Sequence, residues 1–201
     1  MVSLLGCSVL RIEQRSSQLE YGISDESGQV LGQAVQVAGP KPRKGLIAMF
    51  GGSGLGGARV VVQVEGADGG VLFYVDRQDG APVAIVGADG VVIGRFVDDP
   101  AGAAKYLVER KPGLVHRLLD VRDRTVGEVD WEMKRRSSEE AVSVVPVGGV
   151  CTDLEGRRVA EIEVREATFK DRYTLRLEGE PAEPLRTLVL ATPLALDLTR
   201  S

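Results

Sequence analysis

A chain of 201 residues with 43% hydrophobic and 27% charged residues is long and apolar enough to bury one sizeable core. Its formal net charge of −4 gives no general attraction to nucleic acid or to an anionic membrane, so either partner would require a local basic patch. Two cysteines make no disulfide framework, and no apolar run approaches the roughly 20 residues of a membrane-spanning helix. These totals predict a single soluble domain over residues 1–201, in the cytoplasm and without a signal peptide.

The chain opens with an alternating segment in which Leu10 and Ile12 share one face of a strand and Arg11 and Glu13 share the other. A repeated pattern follows. An acidic turn residue, usually with a glycine, precedes a β-branched stretch that ends in a small residue, at residues 25–32, 89–94, 123–127 and 153–160. The small residues at 94, 127 and 160 are 33 positions apart. Regular spacing of this kind indicates a repeated hairpin unit.

A glycine-rich segment at residues 52–57 fits the GxGxxG pattern of a dinucleotide site and follows the apolar run 46–50. A dinucleotide site needs a helix to begin at the third glycine, so that the helix N-terminus faces the pyrophosphate. The residues that follow, 58–64, are β-branched and predict a strand instead. We therefore predict a surface loop between two strands here, and a second loop at the basic stretch 41–44.

Other apolar segments complete a mainly β pattern. Strands are predicted at residues 72–75, 83–86, 106–110, 114–119 and 159–164, which brings the total to roughly a dozen. So many strands in one domain favour a closed antiparallel β-barrel. The last segment, residues 183–198, is apolar nearly all round and predicts a helix. It is short for a membrane span and contains Pro193, so we expect it to lie buried in the barrel, with Leu190 in the core.

The succession of hairpins and the final apolar helix resembles the tubby C-terminal-like superfamily, and within it the phospholipid scramblase and LURP-one-related proteins. The similarity covers nearly the whole chain, and it is carried by residues 10–14 with 21–30, 73–76 through 93–96, and 173–176 followed by 188–191. It implies a twelve-stranded barrel threaded by a hydrophobic helix. The cysteine cluster and the acidic calcium segment of animal scramblases have no counterpart, because residues 166–183 mix acids with bases. Calcium-driven lipid scrambling is therefore not expected.

Catalytic and metal-binding residues are sparse. His116 is the only histidine, so neither a zinc site nor a Ser-His-Asp arrangement can be assembled around it, and we expect it to be exposed or at a strand edge. The adjacent carboxylates at 98–99 and 139–140 point to opposite faces of a strand or lie in loops, which prevents them from acting together. Cys7 and Cys151 are expected to pack as small hydrophobic side chains. We predict no enzyme activity, no cofactor and no metal site.

Basic residues remain as candidates for binding. Tubby-like domains bind phosphoinositide head groups through such residues, so the resemblance implies a site for anionic phospholipid at a membrane surface. The candidate side chains are Lys105, Arg110, Lys134, Arg135 and Arg136, of which residues 134–136 form the densest group. The scarcity of aromatic residues argues against nucleic acid. The alternative is a structural or protein-interaction barrel with no lipid role, in which these charged residues lie in ordinary solvated loops. The sequence leaves the oligomeric state open.

Overall fold

The computed structural model describes residues 3–16, 19–40, 58–109, 111–137, 142–165 and 171–200. These residues form a closed antiparallel barrel in which each strand pairs with its neighbours in the chain, and β1 closes the sheet by pairing with β12. The prediction of a mainly β protein with a closed twelve-stranded barrel is thus confirmed. The strands are β1 (Val9–Ser16), β2 (Glu20–Ser24), β3 (Val30–Ala38), β4 (Val60–Gly66), β5 (Val71–Arg77), β6 (Val83–Gly87), β7 (Val92–Asp98), β8 (Gly113–Asp120), β9 (Thr125–Ser137), β10 (Val142–Asp153), β11 (Arg158–Arg165) and β12 (Arg172–Leu177).

Three helical segments accompany the strands. A short 3-10 helix (Leu4–Gly6) precedes β1, helix α1 (Pro100–Val108) joins β7 to β8, and helix α2 (Leu185–Arg200) follows β12. Every residue from 187 to 198 is buried, so α2 is covered around its whole circumference, and it contacts β5, β6, β7, β8 and β12. The predicted apolar helix is confirmed, beginning and ending two residues later than expected. Leu190 is 2% exposed, as expected for a core residue.

Five hairpin turns of one type lie together at one end of the barrel, which we name the turn end. In the turn 153–157, the Asp153 N–H donates to the Arg157 carbonyl, the Gly156 N–H donates to the Asp153 carbonyl, and Gly156 has a φ of +74°. This is a type I turn followed by a left-handed residue, which suits the twist of an antiparallel hairpin. The same two hydrogen bonds and the same positive φ recur in the turns 25–29, 66–70, 87–91 and 120–124.

The spacing of 33 residues has its origin in these turns and in α2. The turns that begin at residues 87, 120 and 153 connect the strands of three successive hairpins. In each hairpin a small residue lies seven positions after the first residue of the turn. A Cβ added to Gly94 would lie 2.1 Å from the Leu119 carbonyl oxygen and about 3 Å from the Leu188 side chain of α2. A Cβ added to Gly127 would lie 2.7 Å from the Leu185 side chain. The glycines therefore provide the room in which the first turns of α2 pack against the barrel wall.

Four of the further predicted strands are confirmed as β5, β6, β8 and β11, and the strand predicted after the GxGxxG segment is confirmed as β4. The strand predicted at 106–110 is wrong, because residues 106–108 are the end of α1. Asp99 at the N-cap position, Pro100 at the first helical position and the alanines that follow favour a helix over the short alternation behind them. The basic stretch 41–44 and the GxGxxG segment lie outside the described residues.

Candidate functional site

The two ends of the barrel differ in charge. The five turns of the turn end contain eight acidic and three basic residues, and two of these bases bind their own turn. Arg124 donates to Asp120 at 2.6 Å, and this side-chain hydrogen bond keeps the pKa of Asp120 below its ordinary value. Arg157 donates to Asp153 at 2.8 Å; burial raises the pKa of Asp153, but the backbone and side-chain hydrogen bonds from Arg157 outweigh it and keep that pKa below its ordinary value. Since hairpin turns alternate between ends, α1 and the β9–β10 connection lie at the opposite end.

A two-stranded ribbon projects from this opposite end, which we name the ribbon end. Among the described strands, β8 pairs with β9 only as far as Glu132, and β11 pairs with β10 only from Gly148 onward. Residues 133–137 and 142–146 therefore pair with each other alone, and we call them the ribbon. The ribbon contains three basic residues and no acidic residue. Its composition is thus the reverse of that of the turn end.

The structure brings some of the predicted basic residues near one another but not into a single cluster. Lys134 and Arg135 are both exposed on the ribbon, and as neighbours in a strand their side chains leave its opposite faces. Within the described part of the chain, neither pairs with a carboxylate. The backbone of Arg136 continues the ribbon, opposite Ser143. Arg110 lies outside the described residues, and Lys105 is engaged in an ion pair.

Helix α1 lies against the outer wall of the barrel through its last turn. The Lys105 ammonium is 2.6 Å from Asp130 Oδ2 on β9, and the Tyr106 hydroxyl donates to the other oxygen of the same carboxylate. The Tyr106 ring covers Gly113, where any side chain would collide with it. The hydrogen bond from Lys105 to Asp130 raises the pKa of Lys105, and burial together with Asp130 raises the pKa of Tyr106. Lys105 is therefore a structural clamp for α1 as well as a surface base.

Beyond this clamp, α1 ends in two strongly exposed apolar residues. Leu107 is 78% exposed and Val108 is 87% exposed, and the helix has no buried residue at all. A groove of about 550 Å³, which we call the α1–β9 groove, runs between the end of α1 and β9. It is lined by Tyr106, Glu109, Lys111, Pro112, Asp130, Trp131, Glu132, Met133 and Val150. The groove connects the exposed end of α1 with the base of the ribbon.

The expectation of an exposed or edge histidine is wrong, because His116 is only 2% exposed. Its Nδ1 accepts a hydrogen bond of 2.8 Å from the Trp131 indole, its Nε2 is 2.8 Å from Asp98 Oδ1, and its ring stacks on Phe96 with centroids 4.0 Å apart. Burial lowers the pKa of His116 to about 4, partly offset by Asp98. The neutral ring carries its proton on Nε2 and joins β7, β8 and β9 behind the groove.

A second buried polar group closes the interior near the end of α2. The hydroxyl of Tyr21 on β2 donates to one oxygen of Asp197, and that of Tyr173 on β12 donates to the other oxygen at 3.2 Å. Burial raises the pKa of all three groups. These contacts fix the last turn of α2 to β2 and β12, the two strands on either side of β1, which is a structural role.

The described residues also place the cysteines and limit metal binding. Cys151 is fully buried, which raises the pKa of its thiol to about 12, and Cys7 is half-buried against the core, so the expected packing is confirmed for both. In the part of the chain that the structure describes, no three side chains of the types His, Cys, Asp and Glu come together as metal ligands. Nor does any helix there combine the length and the apolar character needed to cross a bilayer.

Comparisons of the chain with models of known protein families, with characterised proteins and with solved structures give no significant match. The resemblance to the tubby and scramblase-like proteins therefore stays a prediction. The barrel and its enclosed helix agree with the fold that this resemblance implies, but a fold of this kind does not by itself assign a function. The function has to be argued from the ribbon end itself.

Proposed function

We propose that this barrel is a non-catalytic module that binds anionic phospholipid at a membrane surface through its ribbon end. The observation that carries the proposal is that exposed apolar side chains and unpaired bases lie together at the end of the barrel opposite the acidic turns. Leu107 and Val108 project from α1, and Lys134 and Arg135 project from the neighbouring ribbon. Apolar side chains that enter the interfacial region, together with bases that face anionic head groups, are the usual elements of peripheral membrane binding.

Exposed apolar residues also occur at the turn end, for example Val121 and Leu154. The acidic character of that end opposes its approach to an anionic surface, because like charges repel across the few ångströms of a contact. The charge difference between the ends therefore orients the barrel with the ribbon end toward the membrane. Each base near an anionic surface contributes about 1 kcal/mol, so Lys134 and Arg135 together supply about 2 kcal/mol of attraction.

A scaffold that binds a protein partner by adding a strand is the alternative. Among the described strands, residues 35–38 of β3 pair with β4 but not with β2, and the ribbon has unpaired ladder edges on both of its sides. Pro146 and the charged Lys134 and Arg135 occupy those edges. Proline and lysine on an edge strand oppose strand addition, which argues against this alternative at the ribbon.

The test is co-sedimentation with vesicles of neutral phosphatidylcholine, and with vesicles that also contain phosphatidylserine or a phosphoinositide, at low and moderate salt, with and without calcium. We expect binding that is much stronger with the anionic lipid, weakens with salt and does not depend on calcium. The double variant Lys134→Glu/Arg135→Glu should weaken binding by about tenfold or more while leaving stability nearly unchanged.

The apolar contribution is tested with Leu107→Asp/Val108→Asp, and its matched control is Val121→Asp/Leu154→Asp. Both variants replace two exposed apolar residues by acids, and they differ only in the end of the barrel that they change. Loss of vesicle binding in the first and retention in the second would support the proposal. Equal effects of the two variants, or no binding of the wild-type protein to any vesicle, would overturn it.

A further inference from the structure

The α1–β9 groove is large enough for more than a single ion. Its volume of about 550 Å³ lies in the range of small-molecule sites in proteins. Its floor includes Val150, and the Tyr106 ring forms one wall. Because the indole of Trp131 points into the barrel and is held by His116, the strand that forms the floor is fixed from behind.

Most charges in the groove are already satisfied. Asp130 receives hydrogen bonds from Lys105 and Tyr106, and Glu109 lies 3.4 Å from the Lys111 ammonium. Glu132 is different, since it is exposed on the outer face of β9 and no cation in the described residues pairs with it.

An ammonium group lies close to this free carboxylate. Lys134 follows Glu132 by two positions, so it leaves the same face of the strand, about 7 Å further along. Lys134 likewise has no carboxylate partner in the described part of the chain. Glu132 in the lining of the groove and Lys134 just beyond that lining thus place one free carboxylate and one free ammonium group on the same face of β9.

We propose that the α1–β9 groove binds the zwitterionic head group of a phospholipid, with the lipid ammonium on Glu132 and its phosphate on Lys134. A ligand that is only an anion meets the Glu132 carboxylate, and one that is only a cation meets Lys134, so a ligand with both charges fits best. The inference rests on the proposed membrane function, because Leu107 and Val108 at the interface would hold the groove at head-group depth.

The test is an NMR titration of the ¹⁵N-labelled protein with phosphocholine, phosphoethanolamine, inorganic phosphate and choline. We expect both zwitterions to shift the amide signals of residues 106–109, 111 and 130–134, and phosphate or choline alone to shift them much less. Glu132→Gln should weaken phosphocholine binding by about tenfold, since it removes a charge-assisted contact. Glu128→Gln is the matched control, because Glu128 is exposed on the same face of the same strand but outside the groove.

Two outcomes would overturn the inference. One is equal shifts with inorganic phosphate and with phosphocholine, because the carboxylate would then play no part. The other is unchanged phosphocholine binding in Glu132→Gln. Binding to anionic vesicles tests the membrane proposal separately from this inference. Glu132→Gln removes a negative charge from the ribbon end, so its binding to those vesicles should be kept or strengthened, whereas failure of the wild-type protein to bind them would count against the membrane function itself.

Discussion

The buried imidazole of His116 should make the stability of the barrel depend on pH in a specific way. Burial lowers its pKa from 6.5 to about 4 in the folded protein, so between these values the unfolded chain binds the proton and the folded chain does not. A group with a depressed folded pKa of this kind stabilises the folded state above pH 6.5 and loses that contribution as the pH falls toward 4. The loss relative to pH 7 amounts to about 2 kcal/mol at pH 5 and about 3 kcal/mol at pH 4.

The measurement is urea unfolding, followed by circular dichroism, of the wild-type protein and of His116→Phe between pH 7 and pH 4. Carboxylates titrate in both proteins, so the difference between the two curves isolates the histidine. The variant keeps a ring against Phe96 but leaves the Trp131 N–H without its acceptor, so it should be less stable at pH 7 by about 1–3 kcal/mol. The gap should then narrow as the pH falls.

Parallel curves for the two proteins would show that His116 is not held neutral and would refute this reasoning. A second readout does not depend on the variant. Since His116 is the only histidine, its imidazole gives the only histidine signals in an NMR spectrum of the native protein. Those signals should not titrate above about pH 5, and a midpoint near the ordinary value of 6.5 would contradict the assigned contacts.

Other substitutions test the core. Leu190→Asp should prevent folding, because it places a charge inside an enclosed helix, and a soluble, folded Leu190→Asp protein would show that α2 is not central. Leu190→Ala should lower the free energy of unfolding in urea by about 2–5 kcal/mol. Gly94→Val should cost more than 2 kcal/mol, because its side chain would enter the space of Leu188, and wild-type stability would contradict the packing. An aromatic disulfide reagent should label Cys7 in the native protein and Cys151 only after unfolding; rapid native labelling of Cys151 would show that it is accessible.

Local sequence signals predicted the architecture where the relevant contacts are close in the chain. The alternation of Leu10 and Ile12 and the spacing of the acidic turns depend on neighbouring residues, and so the strands and hairpins could be derived from them. The turn at 66–70 is not among the repeats identified in the sequence, although it carries the same Asp-Gly pair as the turn at 87–91, at Asp68 and Gly69. Helix α1 was missed although Asp99 and Pro100 mark its start.

The contacts of the site could not be derived in the same way, because they depend on the register between strands. His116 and Trp131 are 15 residues apart, and their hydrogen bond follows only once β8 and β9 are aligned. Lys105 looks like a free base in the sequence, yet a helix that folds back onto β9 places it on Asp130. Whether a charged side chain is free or paired therefore depends on the tertiary structure. The sequence identifies the basic residues, but it does not show which of them are paired.

The difference between paired and unpaired bases explains how an acidic protein presents a basic surface. Two of the three arginines in the hairpin turns, Arg124 and Arg157, bind the aspartates of their own turns, and they add little to the field outside the protein. The ribbon is different because its bases have no acidic residue within the ribbon. It also lies beyond the paired part of the barrel, so its charges can change without disturbing the enclosed core around α2. Because the net charge is −4, the binding of any anionic partner requires a local basic patch. Among the described residues, the ribbon end provides such a patch, and this patch is independent of the core.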